Sequence, residues 1–146
     1  MVLACVDFSD ATDRVVDRAA VLASALGGTM HLLHVAAGEP VLAGYDKDEL
    51  SSFTRDDRAG QLVDEREHLR RLAAPLEARG ITVVPLLVMG PTAQKILDES
   101  ERLDAAFVVL GSHGHRGLHH LLVGDVAEAV LHKASMPVVV VPARPR

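Results

Sequence analysis

Cysteine and aromatic side chains are scarce in this chain of 146 residues, and its basic residues are fewer than its acidic ones. The only cysteine, Cys5, excludes an intrachain disulfide and predicts a reducing, cytoplasmic location. With three Phe, one Tyr and no Trp, the core must be built from aliphatic side chains. A net charge of −5 gives no electrostatic basis for binding nucleic acid or an anionic membrane. No apolar run approaches the length of a membrane span.

Several familiar site motifs are also missing. No Gly-Lys-Ser/Thr follows a glycine-rich loop, which excludes a P-loop, and the Gly-x-Gly-x-x-Gly dinucleotide pattern does not occur. The Gly-x-Ser-x-Gly motif of many hydrolases is absent too, so we predict no catalytic residue. A zinc site is not predicted from the four clustered histidines, because no cysteine accompanies them. These histidines are His113, His115, His119 and His120.

Short apolar runs alternate with amphipathic stretches along the chain. The runs lack in–out alternation, which is typical of parallel strands covered by helices on both faces. Gly27-Gly28 predicts the end of the first helix, as a glycine C-cap. The pattern predicts one α/β domain over residues 1–146, a doubly wound, Rossmann-like parallel sheet of five strands. The predicted strands are Val2–Asp7, Met30–Val35, Thr82–Leu87, Phe107–Leu110 and Val138–Val141.

The most informative segment follows the fourth predicted strand and reads Gly111-Ser112-His113-Gly114. A glycine-rich turn behind a buried strand leaves backbone N–H groups facing a ligand. Gly124-Asp125 then opens a helical pattern, and a helix N-terminus adds further N–H groups and a positive dipole end. Two such elements can converge on one phosphate, so the sequence predicts a nucleotide site.

The spacing Gly111-x-x-Gly114-x9-Gly124 resembles the nucleotide-binding pattern of the universal stress protein family. The segment Val6-Asp7-Phe8-Ser9 and the final run of valines agree with that family, so the resemblance covers the whole chain. It implies the strand order 3-2-1-4-5, a homodimer joined through the last strand, and ATP or another adenine nucleotide as ligand. The implied binding residues are Asp7 and Val35 for the nucleoside, Gly111, Ser112, Gly114 and Gly124 for the phosphates, and Asp125 and Val126 beside them.

Three of these positions leave alternatives open. Asp7, or Ser9 beyond it, could cap the first helix, and Val35 could be ordinary core. Asp125 departs from the family pattern, which has Ser or Thr there. A carboxylate cannot donate a hydrogen bond and repels phosphate, so it predicts weakened ATP binding. Two arrangements would avoid this repulsion: Mg²⁺ could bridge Asp125 and the phosphates, or Asp125 could turn away and act as an N-cap.

The predicted function is a sensor or switch in the stress response that binds an adenine nucleotide, with at most slow hydrolysis. The alternative is a stress-protein homologue that has lost ATP binding and acts through protein partners. The residue at position 125 discriminates between the two, since only a phosphate site would respond to its charge.

Overall fold

A computed structural model describes residues 1–36, 55–112 and 124–142. Within these ranges, five strands form one parallel sheet. The predicted number, direction and order of the strands are confirmed, because the sheet runs 3-2-1-4-5. The strands are β1 (Val2–Cys5), β2 (Thr29–Ala36), β3 (Thr82–Met89), β4 (Phe107–Gly111) and β5 (Val138–Val141).

The strand ends differ from the predicted ones mainly at β1. The predicted strand reached Asp7, whereas β1 ends at Cys5. Val6 still donates its N–H to the Leu33 carbonyl at 2.9 Å, but Phe8 has a φ of 59°, in the left-handed region. This backbone turn ends the strand. β2 and β3 are each two residues longer than predicted, because they pair along their full length.

The described ranges contain four helices, α1 (Thr12–Ala25), α2 (Arg55–Glu77), α3 (Thr92–Arg102) and α4 (Asp125–Lys133). The glycine signal after α1 is confirmed: Gly27 and Gly28 have φ values of 99° and 82°. Such values favour glycine, and the Gly28 N–H donates to the Ala23 carbonyl of the last turn at 2.6 Å. No helix in the described ranges is long and apolar enough to cross a membrane.

The core consists of two aliphatic layers, one on each face of the sheet. On one face, side chains of alternate residues of β1 and β2 pack against α1 and α2. On the other face, the intervening residues pack against α3 and α4. Coverage on both faces explains why the strands are continuously apolar. Fully buried members include Val2, Leu32 and Leu69 in the first layer, and Leu3, Leu33, Val108 and Val130 in the second.

Candidate functional site

Three of the predicted site residues lie side by side at the carboxyl edge of the sheet. Cys5 pairs with Leu33, so Asp7 and Val35, two residues further on, lie at the same level. Ala4 pairs with Val109, and three residues beyond each of them are Asp7 and Ser112. β1 and β4 are also the strands between which the chain reverses its direction of winding. Doubly wound sheets bind their ligands at this position.

The turn after β1 is held by its own polar groups. Asp7 Oδ1 accepts a hydrogen bond from the Ser9 N–H at 3.1 Å, and Ser9 Oγ accepts one from the Ala11 N–H at 3.4 Å. The alternative that Asp7 or Ser9 caps α1 is wrong, because the N-cap of α1 is Ala11 and no side chain caps it. The half-buried carboxylate of Asp7 therefore stabilises a turn at the sheet edge rather than a helix end.

A direct hydrogen bond joins the two parts of the predicted phosphate motif. The Gly124 N–H donates to the Ser112 carbonyl at 2.5 Å, which closes the segment between β4 and α4. Ser112 is buried, and its own N–H donates to the Val141 carbonyl at 2.8 Å. Gly111 is the last residue of β4 and pairs with Val141. The remaining motif residue, Gly114, lies outside the described residues, as do the four clustered histidines.

The first turn of α4 begins one residue earlier than an Asp125 N-cap would require. The N-cap is Gly124, in an extended conformation with φ −77° and ψ 160°, and it has no side-chain cap. The N-cap interpretation of Asp125 is therefore wrong, because Asp125 is the first helical residue. Asp125 and Val126 are both exposed, and a second acid, Glu128, lies in the same turn. The N-terminus of α4 is thus accessible but carries negative side chains.

Val35 lies near the end of β2, on the face of the sheet that packs against α3 and α4. Its side chain is half-buried and contacts the second core layer, so part of it is core. The other part is accessible at the same level as Asp7. Met89, at the end of neighbouring β3, has 44% of its surface exposed. Met89 alternates with Val88, which packs in the same layer as Val35, so Met89 points to the opposite face of the sheet. Val35 is therefore the apolar side chain on the α3/α4 face at the level of Asp7.

The sequence profile of the Universal stress protein family matches residues 1–142 of the chain. The chain belongs to the universal stress protein family. One relative is Universal stress protein A homolog 1 of Coxiella burnetii, which is 30% identical over 142 residues. That match covers 96% of this universal stress protein and 94% of the relative.

Solved structures show the same fold. Hypothetical protein MJ0577 of Methanocaldococcus jannaschii superimposes on this universal stress protein with a TM-score of 0.79 at 24% identity, over 99% of this chain and 96% of that one. A universal stress protein in complex with cAMP superimposes with a TM-score of 0.71 at 19% identity, and the match covers 98% of this chain and 96% of that one. The universal stress protein from Archaeoglobus fulgidus in complex with dAMP superimposes with a TM-score of 0.68 at 21% identity, and the match covers 95% of this chain and 94% of that one.

One group of side chains beside the site of this universal stress protein was missed by the sequence analysis. The ring of Phe8 lies between His34 of β2 and His68 of α2, with centroid distances of 4.2 Å to each. Glu65 of α2 also approaches His34. His34 and His31 lie on the same strand, but within the described part of the chain only one of them has a hydrogen-bond partner for its ring. His34 has a hydrogen bond to the Val6 carbonyl, whereas His31 Nδ1 is buried without a partner among the described residues.

The described part of this universal stress protein contains no group of three His, Cys, Asp or Glu side chains placed to hold a metal ion. Cys5, close to the carboxyl edge, is buried, and burial raises the pKa of its thiol to about 12. The thiol is therefore protonated and unreactive at neutral pH. What the site offers chemically is the backbone N–H groups of the first turn of α4, the Asp7 carboxylate and the half-buried side chain of Val35, which suit the binding of a small polar ligand.

Proposed function

We propose that this protein binds an adenine nucleotide at the carboxyl edge of β1 and β4. The observation that carries the proposal is the hydrogen bond from the Gly124 N–H to the Ser112 carbonyl. Through this bond, Ser112 at the end of β4 contacts the N-cap of α4, which supports a ligand site at the edge where Asp7 lies. Anions bind where backbone N–H groups and a helix N-terminus converge. Relatives of the same fold in complex with cAMP and dAMP support this choice of ligand.

The proposed contacts follow from the order of residues along the edge. Asp7 accepts hydrogen bonds from ribose hydroxyls, and Val35 packs against the base. Gly111, Ser112, Gly114 and Gly124 surround the phosphates, with Asp125 and Val126 beside them. In this proposal, bound nucleotide acts as a signal in a sensor or switch. A cytoplasmic location stays a prediction, based on the single cysteine.

The charge of Asp125 determines which nucleotide the site prefers. Its exposed carboxylate adds to the negative potential of the first turn of α4, which opposes a triphosphate more than a monophosphate. An exposed carboxylate is also a suitable ligand for Mg²⁺ in the presence of phosphate oxygens. We therefore propose AMP-like nucleotides, or ATP together with Mg²⁺, as the ligands.

Calorimetric titration of the full chain with ATP, ADP and AMP, each with and without Mg²⁺, tests the proposal. We expect saturable binding, tighter for AMP than for ATP without Mg²⁺, and an affinity for ATP that increases when Mg²⁺ is added. Ser112→Pro is unsuitable as a control, because the Ser112 N–H is bonded to Val141. Asp7→Asn is a test of the site rather than a control: it keeps the side-chain oxygen that accepts from the Ser9 N–H, and loss of the charge that faces the ribose should weaken nucleotide binding. Absence of heat for every nucleotide, with the protein folded, contradicts the proposal.

Asp125 also favours a second candidate function, that of a stress-protein homologue acting through protein partners. The family pattern has a hydroxyl at this position, and an acid there removes a donor from the phosphate site. If no nucleotide binds to the wild type or to Asp125→Ser, this second function replaces the first. The titration above therefore distinguishes the two.

We further propose that the protein forms a homodimer through β5. The N–H groups of Val108 in β4 and of Ser112 just after it donate to the carbonyls of Pro137 and Val141. Backbone groups of alternate residues point in opposite directions, so the N–H groups of Val138 and Val140 point away from β4. The opposite edge strand, β3, has Pro85 at an outward position and thus lacks a donor there. β5 is consequently the better edge for pairing.

Light scattering coupled to size-exclusion chromatography tests the dimer. The wild type is expected at twice the chain mass of 15.6 kDa. Val140→Pro removes one outward N–H without touching the ladder to β4, and it should shift the protein to the monomer. Val140→Thr keeps the N–H and the branched shape, so it should remain dimeric. A monomeric wild type, or a Val140→Pro dimer of equal stability, rules out pairing through β5.

A further inference from the structure

His34 makes a buried hydrogen bond to the backbone just before the Asp7 turn. Its Nδ1 atom lies 2.8 Å from the Val6 carbonyl oxygen, and only 8% of the residue is exposed. A carbonyl oxygen can only accept, so Nδ1 must carry a proton. In the neutral ring, Nε2 is therefore an unprotonated acceptor. The tautomer of His34 is set by this contact with β1.

The other nitrogen of His34 faces a carboxylate. Nε2 lies 4.0 Å from Oε1 of Glu65, whose side chain is 25% exposed. Glu65 Oε2 is buried and has no hydrogen-bond partner among the described residues. With neutral His34, two acceptors oppose each other across this gap. Protonation of Nε2 converts one of them into a charged donor, so a short movement of Glu65 forms an ion pair.

The same ring supports the strained residue that precedes Ser9. Phe8 has a left-handed backbone, which is unfavourable for a residue with a side chain. Its ring lies between His34 and His68, tilted by 34° to the first and nearly parallel to the second, at 7°. These contacts hold Phe8 in place. Since Asp7 is the preceding residue, they also fix the position of its carboxylate.

The geometry points to His34 as a positioning residue for Asp7, whose effect depends on its proton. In the protonated state, His34 is held from both sides, by the Val6 carbonyl and by Glu65. The ring then supports Phe8 and keeps Asp7 at the sheet edge. In the neutral state, the contact with Glu65 is lost and the turn is held less tightly. Resting on the proposed function, this makes nucleotide affinity higher when His34 is protonated than when it is neutral.

Other groups near His34 set the sign of this effect. Glu65 and His68 face the region from α2, Asp7 lies on the adjoining turn, and the β3 neighbour, Leu87, is uncharged. Two of the three titratable neighbours are acids, whose carboxylates can pair with a donor on the His34 ring. His68 lies on the far side of Phe8, so the aromatic ring separates the two imidazoles, and an imidazolium is attracted to its face.

The test compares Glu65→Gln with Glu67→Gln across pH. Both remove one negative charge from α2, but Glu67 is exposed and pairs with Arg70 and Arg71 at 3.9 and 3.5 Å. At about pH 6, Glu65→Gln should lower Tm by about 3 °C relative to wild type. At about pH 8 it should raise Tm slightly, because the Gln amide can donate to neutral Nε2 whereas the Glu65 carboxylate cannot. The difference in Tm between Glu67→Gln and wild type should be the same at both pH values. If the Tm of Glu65→Gln differs from that of the wild type by the same amount at both pH values, the proposal is overturned.

Two further measurements keep the outcome clear even if the stability difference is small. Nitrogen-15 NMR of the histidine rings should show His34 as the Nδ1–H tautomer at high pH, and the Nε2–H tautomer contradicts the proposal. The affinity of the wild type for AMP should rise about fivefold from high to low pH, and Glu65→Gln should lose this dependence. If Tm responds as expected but AMP binds at no pH, the role of His34 stands and the proposed nucleotide function fails.

Discussion

Replacing Asp125 with Ser restores the hydroxyl that the family pattern has after its last glycine. The position is the first residue of α4, directly after the Gly124 N-cap, and its side chain is exposed. The substitution therefore removes one negative charge at a helix N-terminus and adds a hydrogen-bond donor. Since the side chain packs against nothing in the core, the fold should tolerate the change.

The size of the effect follows from this exposure. A carboxylate ~4 Å from a phosphate charge costs about 1 kcal/mol at the dielectric constant of water, the appropriate value for an exposed side chain. One hydrogen bond from a hydroxyl to phosphate adds about 1 kcal/mol. The sum of about 2 kcal/mol corresponds to roughly thirtyfold tighter ATP binding. The unfolding free energy should fall by only about 0.5 kcal/mol, because an acid favours the helix N-terminus.

Calorimetric titration with ATP, without Mg²⁺ and at two salt concentrations, measures this gain. Half of it is electrostatic and should shrink at high salt, whereas the hydrogen-bond part should remain. Glu128→Gln is the matched control, since Glu128 is the other exposed acid of the same turn and lies further along the helix. Equal ATP affinities for wild type and Asp125→Ser, with and without Mg²⁺, would refute the assignment of the α4 N-terminus to phosphate.

Three other predictions concern the fold around the site. Cys5 should not react with a thiol reagent in native buffer at neutral pH, because burial raises its pKa to about 12. In urea it should react at once, and rapid labelling of the native protein would contradict its burial. Burial, followed by the charge of Arg102, lowers the pKa of His31 below 6.5. The unfolded chain therefore binds a proton at His31 more readily than the folded chain, and the free energy of unfolding falls as the pH drops below about 6.5. His31→Gln should reduce that acid loss in urea titrations, and an unchanged slope opposes the assignment. Leu33→Ala, at a position with 0% exposure, should cost about 2–5 kcal/mol in the same assay, and a cost under about 1 kcal/mol would mean that the layer repacks.

Local signals in the sequence were sufficient where one backbone conformation decides the outcome. Gly27-Gly28 predicted the end of α1 because few other residues adopt positive φ there. The five apolar runs predicted a parallel sheet, because both of its faces are covered. The strand order came from the resemblance to the family, since periodicity alone does not say which strands are neighbours.

The sequence was insufficient where a residue responds to a distant part of the chain. Nothing local marks Phe8 as left-handed, because that conformation depends on the stacking of its ring with His34 and His68. Glu65 lies 31 positions after His34, and only the packing of α2 on β2 brings the two together. At Asp125, the expected cap was displaced by one residue, since extended Gly124 already occupies the N-cap.

The two outer strands of the sheet differ in a way that limits how copies of this chain can assemble. A sheet that can pair at both edges can add copies at each end and grow into a filament. Here Pro85 interrupts the outward donors of β3, whereas β5 keeps those of Val138 and Val140. Once two copies have joined through β5, neither has a second intact edge among its described strands. In the dimer proposed above, growth would therefore stop at two chains, and an edge rich in valine would not lead to fibres.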